Sequence, residues 1–468
     1  GTLDRATFDV AASIYLVEFG TAPAAIRELN VTAGNVTFNS PGAFRTLNVN
    51  STAFGGPQNV NISNATLSLG TVAGFSIMPL HLTVGDTLSM SSGSTLNVRF
   101  GSDVITQFLN SSGQVNVTGL GSALTASFTA EIDGGSLNVT AGGVVQNVVG
   151  RVGLSDGTFS TAIVSGAGSQ WINTDDLVVG VFGSGTLSIT GGGKVQNEDG
   201  TVGFTSFSTG AVVVDGAGSQ WINTDGLFVG NLGSGTLNVT GGGSVSSNGG
   251  NIGAASGSDG MATITGGAWT MTGQLSVGGL GSTPGGPGTL NIQPAGTVSA
   301  ALGVVLFPDA HVNLQGGTLD ASAISYHQGI QGSQFQWTSG TLHVGTFNGS
   351  LTNSNGVLAP GPVSPGNGAG STTIKPAPRP STKRPPLISS IVEACLASSA
   401  GLWKFVQATR GPNSTRDVTA AIRLPEVAAP VYCLRSRSSC QIWCAPSETA
   451  RPVSSQKKLS GELVISGK

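Results

Sequence analysis

Three sets of residues in this chain have types and spacings that chemistry would need. GLSDG at 153–157 matches the G-x-S-x-G pattern. That pattern exposes a nucleophilic serine when it joins a strand to a helix with a histidine and an acid in reach. Asp175, Asp176 and Asp225 follow the two copies of WINT, and paired carboxylates can hold Ca²⁺ or act as acid and base. Trp171, Trp221 and Trp269 recur at nearly even spacing. Exposed, such a column would stack on sugar rings; buried, it would fill a core with large side chains.

Each set also has a plainer reading. The positions equivalent to Ser155 are Thr205 in GFTSF and Ala255 in GAASG. A position that takes Ser, Thr or Ala is a corner, not a nucleophile. Asp-Asp and Asp-Gly are ordinary turn residues. Trp is more often core than platform. The histidines (His81, His311, His327 and His343) are isolated, and HExxH is absent. GGGKV at 191–195 lacks the GK[ST] ending of a phosphate loop. Cys395, Cys433, Cys440 and Cys444 are 38, 7 and 4 residues apart, which is not a paired zinc spacing. No catalytic, cofactor-binding or metal site is expected, and no cofactor.

The elements that must position these residues are set by a repeat. GAGSQWINTDDLVVGVFGSGTL at 166–187 returns as GAGSQWINTDGLFVGNLGSGTL at 216–237, with 18 of 22 positions identical. Inside this 50-residue echo lies a shorter period. Alternating apolar segments start at Ser136, Thr161, Thr186, Ala211, Thr236 and Met261, 25 residues apart. Each reads as a strand with one face inward. Stacking them predicts one inward ladder of Leu137, Ala162, Leu187, Val212, Leu237 and Ala262. A second holds Val139, Val164, Ile189, Val214, Val239 and Ile264. A Val-Gly or Ile-Gly pair at Val152, Val179, Val202, Val229, Ile252 and Val277 marks another strand in every coil. Glycine clusters turn the corners. The fold class is therefore all-β: a single-stranded right-handed parallel β-helix, or β-solenoid, with coils of about 25 residues. A propeller with 50-residue blades is the rival. Weaker copies at Leu29, Leu47, Leu67, Leu82, Leu96 and Val115, with 312–319 and 339–345, extend the stack to about 14 coils and 65–70 Å.

Composition agrees with this reading. The chain has 468 residues, 73 of them Gly, and only 9% are charged. Its net charge of −3 hides a division. Residues 1–374 carry 6 Lys/Arg and 18 Asp/Glu, or −12; residues 375–468 carry 14 and 5, or +9. The second part also holds all four cysteines and only 4 glycines. The basic part lacks aromatic interleaving, so no nucleic acid partner is expected. No apolar run reaches the roughly 18 residues of a spanning helix. The opening GTLDRATFDV has neither part of a signal peptide, which fits a leader already removed or a fragment.

The block GAGSxWxNxxxLxVGxxGxGxLxVxxGGxV, carried by 166–195 and 216–245, resembles the repeat of bacterial autotransporter (type V secretion) passengers and PEP-CTERM-associated surface proteins. RATFDVAASIYLVEF near the start and 335–374 near the end are similar to the entry and closing segments of such β-helical proteins. The resemblance covers roughly 1–374 and implies an extracellular or cell-surface rod, outer membrane-associated, with a structural or adhesive role. It implies possible partners among surface glycans and components of host or neighbouring cells. Polysaccharide lyases and hydrolases share the architecture, so a carbohydrate-active enzyme is the alternative. Such an enzyme would want clustered acids with Arg or Lys on one face. Arg5, Arg27, Arg45, Arg99, Arg151 and Lys194 are widely spaced in the sequence. After Ile374 the family's continuation is replaced by KPAPRPSTKRPP. Residues 375–468 are then a basic, Pro-rich tail, read as irregular or disordered, as out of frame, or as a small separate domain.

Overall fold

The computed structural model describes residues 79–329 and 334–352 continuously. It also describes 2–9, 14–18, 24–33, 35–39, 45–49, 60–62, 65–69, 355–360, 373–375, 431–436 and 439–444. The chain divides into two compact units, Gly1–Ala377 and Pro378–Lys468. The first unit is a β-solenoid, built around a wrapped 37-stranded sheet with parallel ladders. The only short helical turn among the described residues is His327–Gly329. In the second unit Val431–Ser436 pairs antiparallel with Ser439–Cys444. The expectation of an irregular or disordered tail otherwise falls outside the described residues.

Each coil of the regular stretch has three faces. The first is built from Phe159–Ser165, Ser184–Thr190, Thr209–Asp215, Ser234–Thr240 and Asp259–Thr265, each paired in parallel with the next. The second runs through Gln170–Asn173, Lys194–Asn197, Gln220–Asn223, Ser244–Ser247 and Ala268–Met271. The third runs through Leu177–Val179, Gly200–Val202, Leu227–Val229, Gly250–Ile252 and Leu275–Val277. Alternation decides which side chains enter: strands read buried, half-exposed, buried. Both predicted inward ladders are in register and fully buried. The Val-Gly marker is the inward column of the third face. Part of the insertion STPGGP forms a small hairpin, Gly279–Leu280 against Thr283–Pro284, and Pro287 returns to the stack, accepting the Gly260 N–H.

The weaker copies need one correction. They look alike but lie on different faces. Leu67, Leu96 and Val115 share the first-face ladder. Leu47 and Leu82 sit together on the second. Leu29 lies on the third, against Val60. Any strand with one inward face reads x-Leu-x-Val, so the motif marks a strand without saying which side of the coil it forms.

Candidate functional site

The tryptophans are inside. Trp171, Trp221 and Trp269 are fully buried on the second face, which assigns the column to the core. Each indole at about 150–250 Å² contributes about 4–6 kcal/mol of apolar burial. Its space comes from the preceding coil. A Cβ on Gly200 would lie 2.8 Å from Cζ2 of Trp221, and Gly150 and Gly250 stand in the same relation to Trp171 and Trp269. The second-face column runs Val145, Trp171, Val195, Trp221, Val245, Trp269. Beside it the third face runs Gly150, Leu177, Gly200, Leu227, Gly250, Leu275. Each of the three indole N–H groups is met: Trp171 Nε1 donates to Asn147 Oδ1 and Trp221 Nε1 to Asn197 Oδ1, both at 2.7 Å. Trp269 Nε1 donates to Ser247 Oγ at 3.1 Å. The corners between first and second face alternate too. Ser219 Oγ accepts the Gly192 N–H of the GGG corner one coil earlier and donates to the Asp215 carbonyl. The 50-residue echo is thus a pair of coils that fit each other.

Ser155 is not near any histidine partner of a triad. Its hydroxyl donates to Asp133 Oδ2 at 2.5 Å, its N–H donates to Oδ1 at 2.9 Å, and Thr158 Oγ1 adds a third bond at 2.8 Å. Burial opposes the Asp133 charge, but the bonds from Ser155 and Thr158 outweigh it and hold the carboxyl below the usual range. The group is a corner latch between two coils.

Asp175 and Asp225 stand two coils apart in one column, with Glu198 between them through backbone bonds. Asp176 and Asp199 form the adjacent column, where the Asp199 N–H donates to Asp176 Oδ1 and the Gly226 N–H to Asp199 Oδ1. Burial, then the charge of Asp175, pushes the Asp176 carboxyl up; burial and the charges of Asp225 and Asp175 do the same to Asp199. Among the described residues no group of three or more His, Cys, Asp or Glu is placed to hold a metal ion. His327 stacks on Phe307 and His81 lies against Asp103.

Two surface features were missed by sequence reasoning. One is an open groove of about 410 Å³ along the third face and its following corner. Its floor is the outward column Asn61, Ser89, Asn110, Glu131. Asp133 and Leu154 close its downstream end. Arg151, one coil on, donates to Glu131 Oε1 at 2.7 Å. Arg151 stands 20 residues from Glu131 in the chain, and only the coil period brings them together. The second feature begins at Leu154 and continues along the corner between third and first faces. Phe159, Phe182, Phe204, Phe207 and Leu232 all project from it, with Phe159 80% and Phe207 90% exposed. Other apolar side chains, among them Leu120, Phe128 and Leu302, are exposed elsewhere, but much of the outer strand surface is polar and knitted along the rod. Thr118 bonds Thr140, Thr186 bonds Thr161, Thr190 bonds Ser165, and Asn138 bonds Asn116. This pairing uses Asn138 structurally.

Among the described residues no helix is long and apolar enough to cross a membrane. No family model, characterised protein or solved structure matches the chain.

Proposed function

We propose that this protein is an extracellular or cell-surface rod with a structural or adhesive role, of the autotransporter-passenger and PEP-CTERM-associated kind that its repeat resembles. The observation that carries this reading is the division between interior and surface. Successive coils lock together through Trp–Gly contacts and hydrogen-bonded ladders, while the outside is a long, sparsely charged and mostly polar flank with apolar side chains exposed at several places. Such a flank suits recognition of surface glycans or of components on a host or neighbouring cell. The experiment is protease treatment of intact source cells, followed by detection with antibody to the repeat region. Cleavage on intact cells, with a cytoplasmic marker spared, is the expected result. Protection until lysis would overturn the reading.

One observation favours a second reading, a carbohydrate-active β-helix enzyme. Glu131 and Asp133 line one end of the groove, and Arg151 bonds to Glu131 beside it. Incubating the chain with neutral and acidic polysaccharides and measuring new reducing ends or unsaturated uronate tests it. Activity lost in Glu131→Gln and Asp133→Asn would favour the enzyme; no product from any polysaccharide removes it.

A further inference from the structure

We infer that Asn248 is a modification site: the backbone nitrogen of Gly249 displaces its side-chain amide, so that the asparagine becomes aspartate and isoaspartate as the protein ages. The site goes beyond the surface-rod reading and does not depend on it. Asn-Gly is the pair in which such an attack meets least hindrance, because glycine carries no Cβ beside the nitrogen. Asn248 is exposed, at the corner between second and third faces. The N–H groups of Glu198, Asp225 and Asn248 donate in turn to the carbonyls of Asp175, Glu198 and Asp225. Asn248 therefore follows the three acids in one column along the rod.

The nitrogen beside it differs from its counterparts. In the two preceding coils the next N–H is held by a carboxylate one coil earlier: Asp199 donates to Asp176 Oδ1 and Gly226 to Asp199 Oδ1. Gly249 follows Gly226, which has no side chain to offer. Among the described residues no acceptor meets the Gly249 N–H. A Cβ placed on Gly249 would meet only the Gln274 carbonyl, at 3.6 Å. A backbone N–H left to water can lose its proton and turn on the neighbouring side chain. The carbon it attacks is polarised. Thr272 Oγ1 donates to Asn248 Oδ1 at 3.0 Å and draws electrons from Cγ, while Asn248 Nδ2 donates to Asp225 Oδ1 at 3.2 Å.

Water is the only co-reactant. Hydroxide takes the Gly249 amide proton, the nitrogen bonds to Asn248 Cγ, and the Cγ–Nδ2 bond breaks. Ammonia leaves with a proton from water, which regenerates hydroxide. The cyclic imide then takes up one water. Opening at Cγ gives aspartate; opening at the main-chain carbonyl gives isoaspartate, whose backbone runs through Cβ. Aspartate adds a carboxylate to the column of Asp175, Glu198 and Asp225 and removes the donor from Asp225. Isoaspartate adds one backbone atom between the Asn248 N–H and the Gly249 carbonyl, which bond Asp225 and Leu227 of the preceding coil. Either product loosens the contact between these two coils.

The chain supplies its own controls. Asn348 precedes a buried Gly349. Asn355 precedes Gly356, which pairs with Gly340 in a parallel strand and has no room for a Cβ beside the Trp337 indole. The test is to hold the full folded chain at neutral and at alkaline pH, digest samples with chymotrypsin, and read by mass the exchange of NH₂ for OH at each asparagine. Asn248 should convert several-fold faster than Asn348 and Asn355, and faster still at the higher pH. In denaturant the three rates should converge. Gly226→Asp places a carboxylate over the Gly249 N–H, as Asp199 stands over that of Gly226. It should slow Asn248 several-fold in the folded chain and leave its rate in denaturant unchanged. Should that variant not fold, Thr272→Val, which removes the bond to Oδ1, should slow Asn248 in the same way. A folded native chain in which Asn248 stays intact, or lags either control, overturns the inference. An unchanged Asn248 rate in the folded variant overturns it as well.

Discussion

Trp221 and Phe207 belong to the same coil, yet one is wholly buried and the other is 90% exposed. The interior keeps the 50-residue rhythm. Trp171, Trp221 and Trp269 recur, and Gly150, Gly200 and Gly250 recur beneath them. The outer corner does not keep it. The place of Phe207 is held by Gly157 and Gly257 in the equivalent corners, and that of Phe182 by Leu232. Packing against a neighbouring coil tolerates little change in shape, because a protein interior is nearly close-packed. A corner facing water is free to vary. In a repeat protein, then, the conserved beat reports on stacking, and departures from it point to what is specific to the molecule.

The largest expected effect comes from emptying the interior column. Trp221→Ala should lose about 3–5 kcal/mol of stability in denaturant melts, because a cavity remains and Asn197 Oδ1 loses its indole donor. Filling the space beneath should act in the same direction. Gly200→Ala places a Cβ 2.2 Å from Asn223 Oδ1, with an expected cost of about 1–3 kcal/mol. Combined with Trp221→Val, the two changes should be less than additive, because they act on one contact. Additive costs would show that Trp and Gly are not a matched pair. Asn197→Ala, which strands the indole N–H, should cost about 1–3 kcal/mol.

A smaller effect separates two kinds of acid. Asp176 and Asp199 have folded pKa values raised above their unfolded ones, so between those values the folded chain holds more protons. Their contribution improves as pH falls from neutral through the folded pKa. Asp133 has the opposite sign: its stabilisation is present above the unfolded pKa and is lost as pH falls through the folded one. Asp176→Asn with Asp199→Asn should raise the melting temperature slightly at pH 7, and the gain should shrink on acidification. Asp133→Asn should lower it at pH 7. These residues are largely solvated, so each change should stay below about 1 kcal/mol. Equal pH dependence of native chain and variants would refute the assignment. The smallest effect belongs to the corner: Phe207→Ser should alter folding stability by no more than about 0.5 kcal/mol.

The inward ladders from Leu137 to Ala262 were legible because alternation at a fixed period leaves only one way to stack them. The burial of tryptophan was legible in part. Each Trp sits in a column that otherwise holds Val, beside one that alternates Gly with Leu, and this co-variation along the repeat is the signal. The Glu131–Arg151 pair was not legible. It joins residues of irregular upstream coils, where the period drifts and the face of each strand is not marked by its residues. The exposed phenylalanines hid for a different reason: a corner Phe reads as core until the direction of its side chain is known.

The matched coils also bear on how such a gene can change length. A tandem duplication of 50 residues adds a complete Trp coil and Gly coil, and both new junctions repeat contacts already present. A duplication or loss of 25 residues sets Trp over Leu, or Val over Gly, and leaves a clash or a hole. The inheritable unit of growth in this rod is therefore two coils, twice the repeat that its backbone displays.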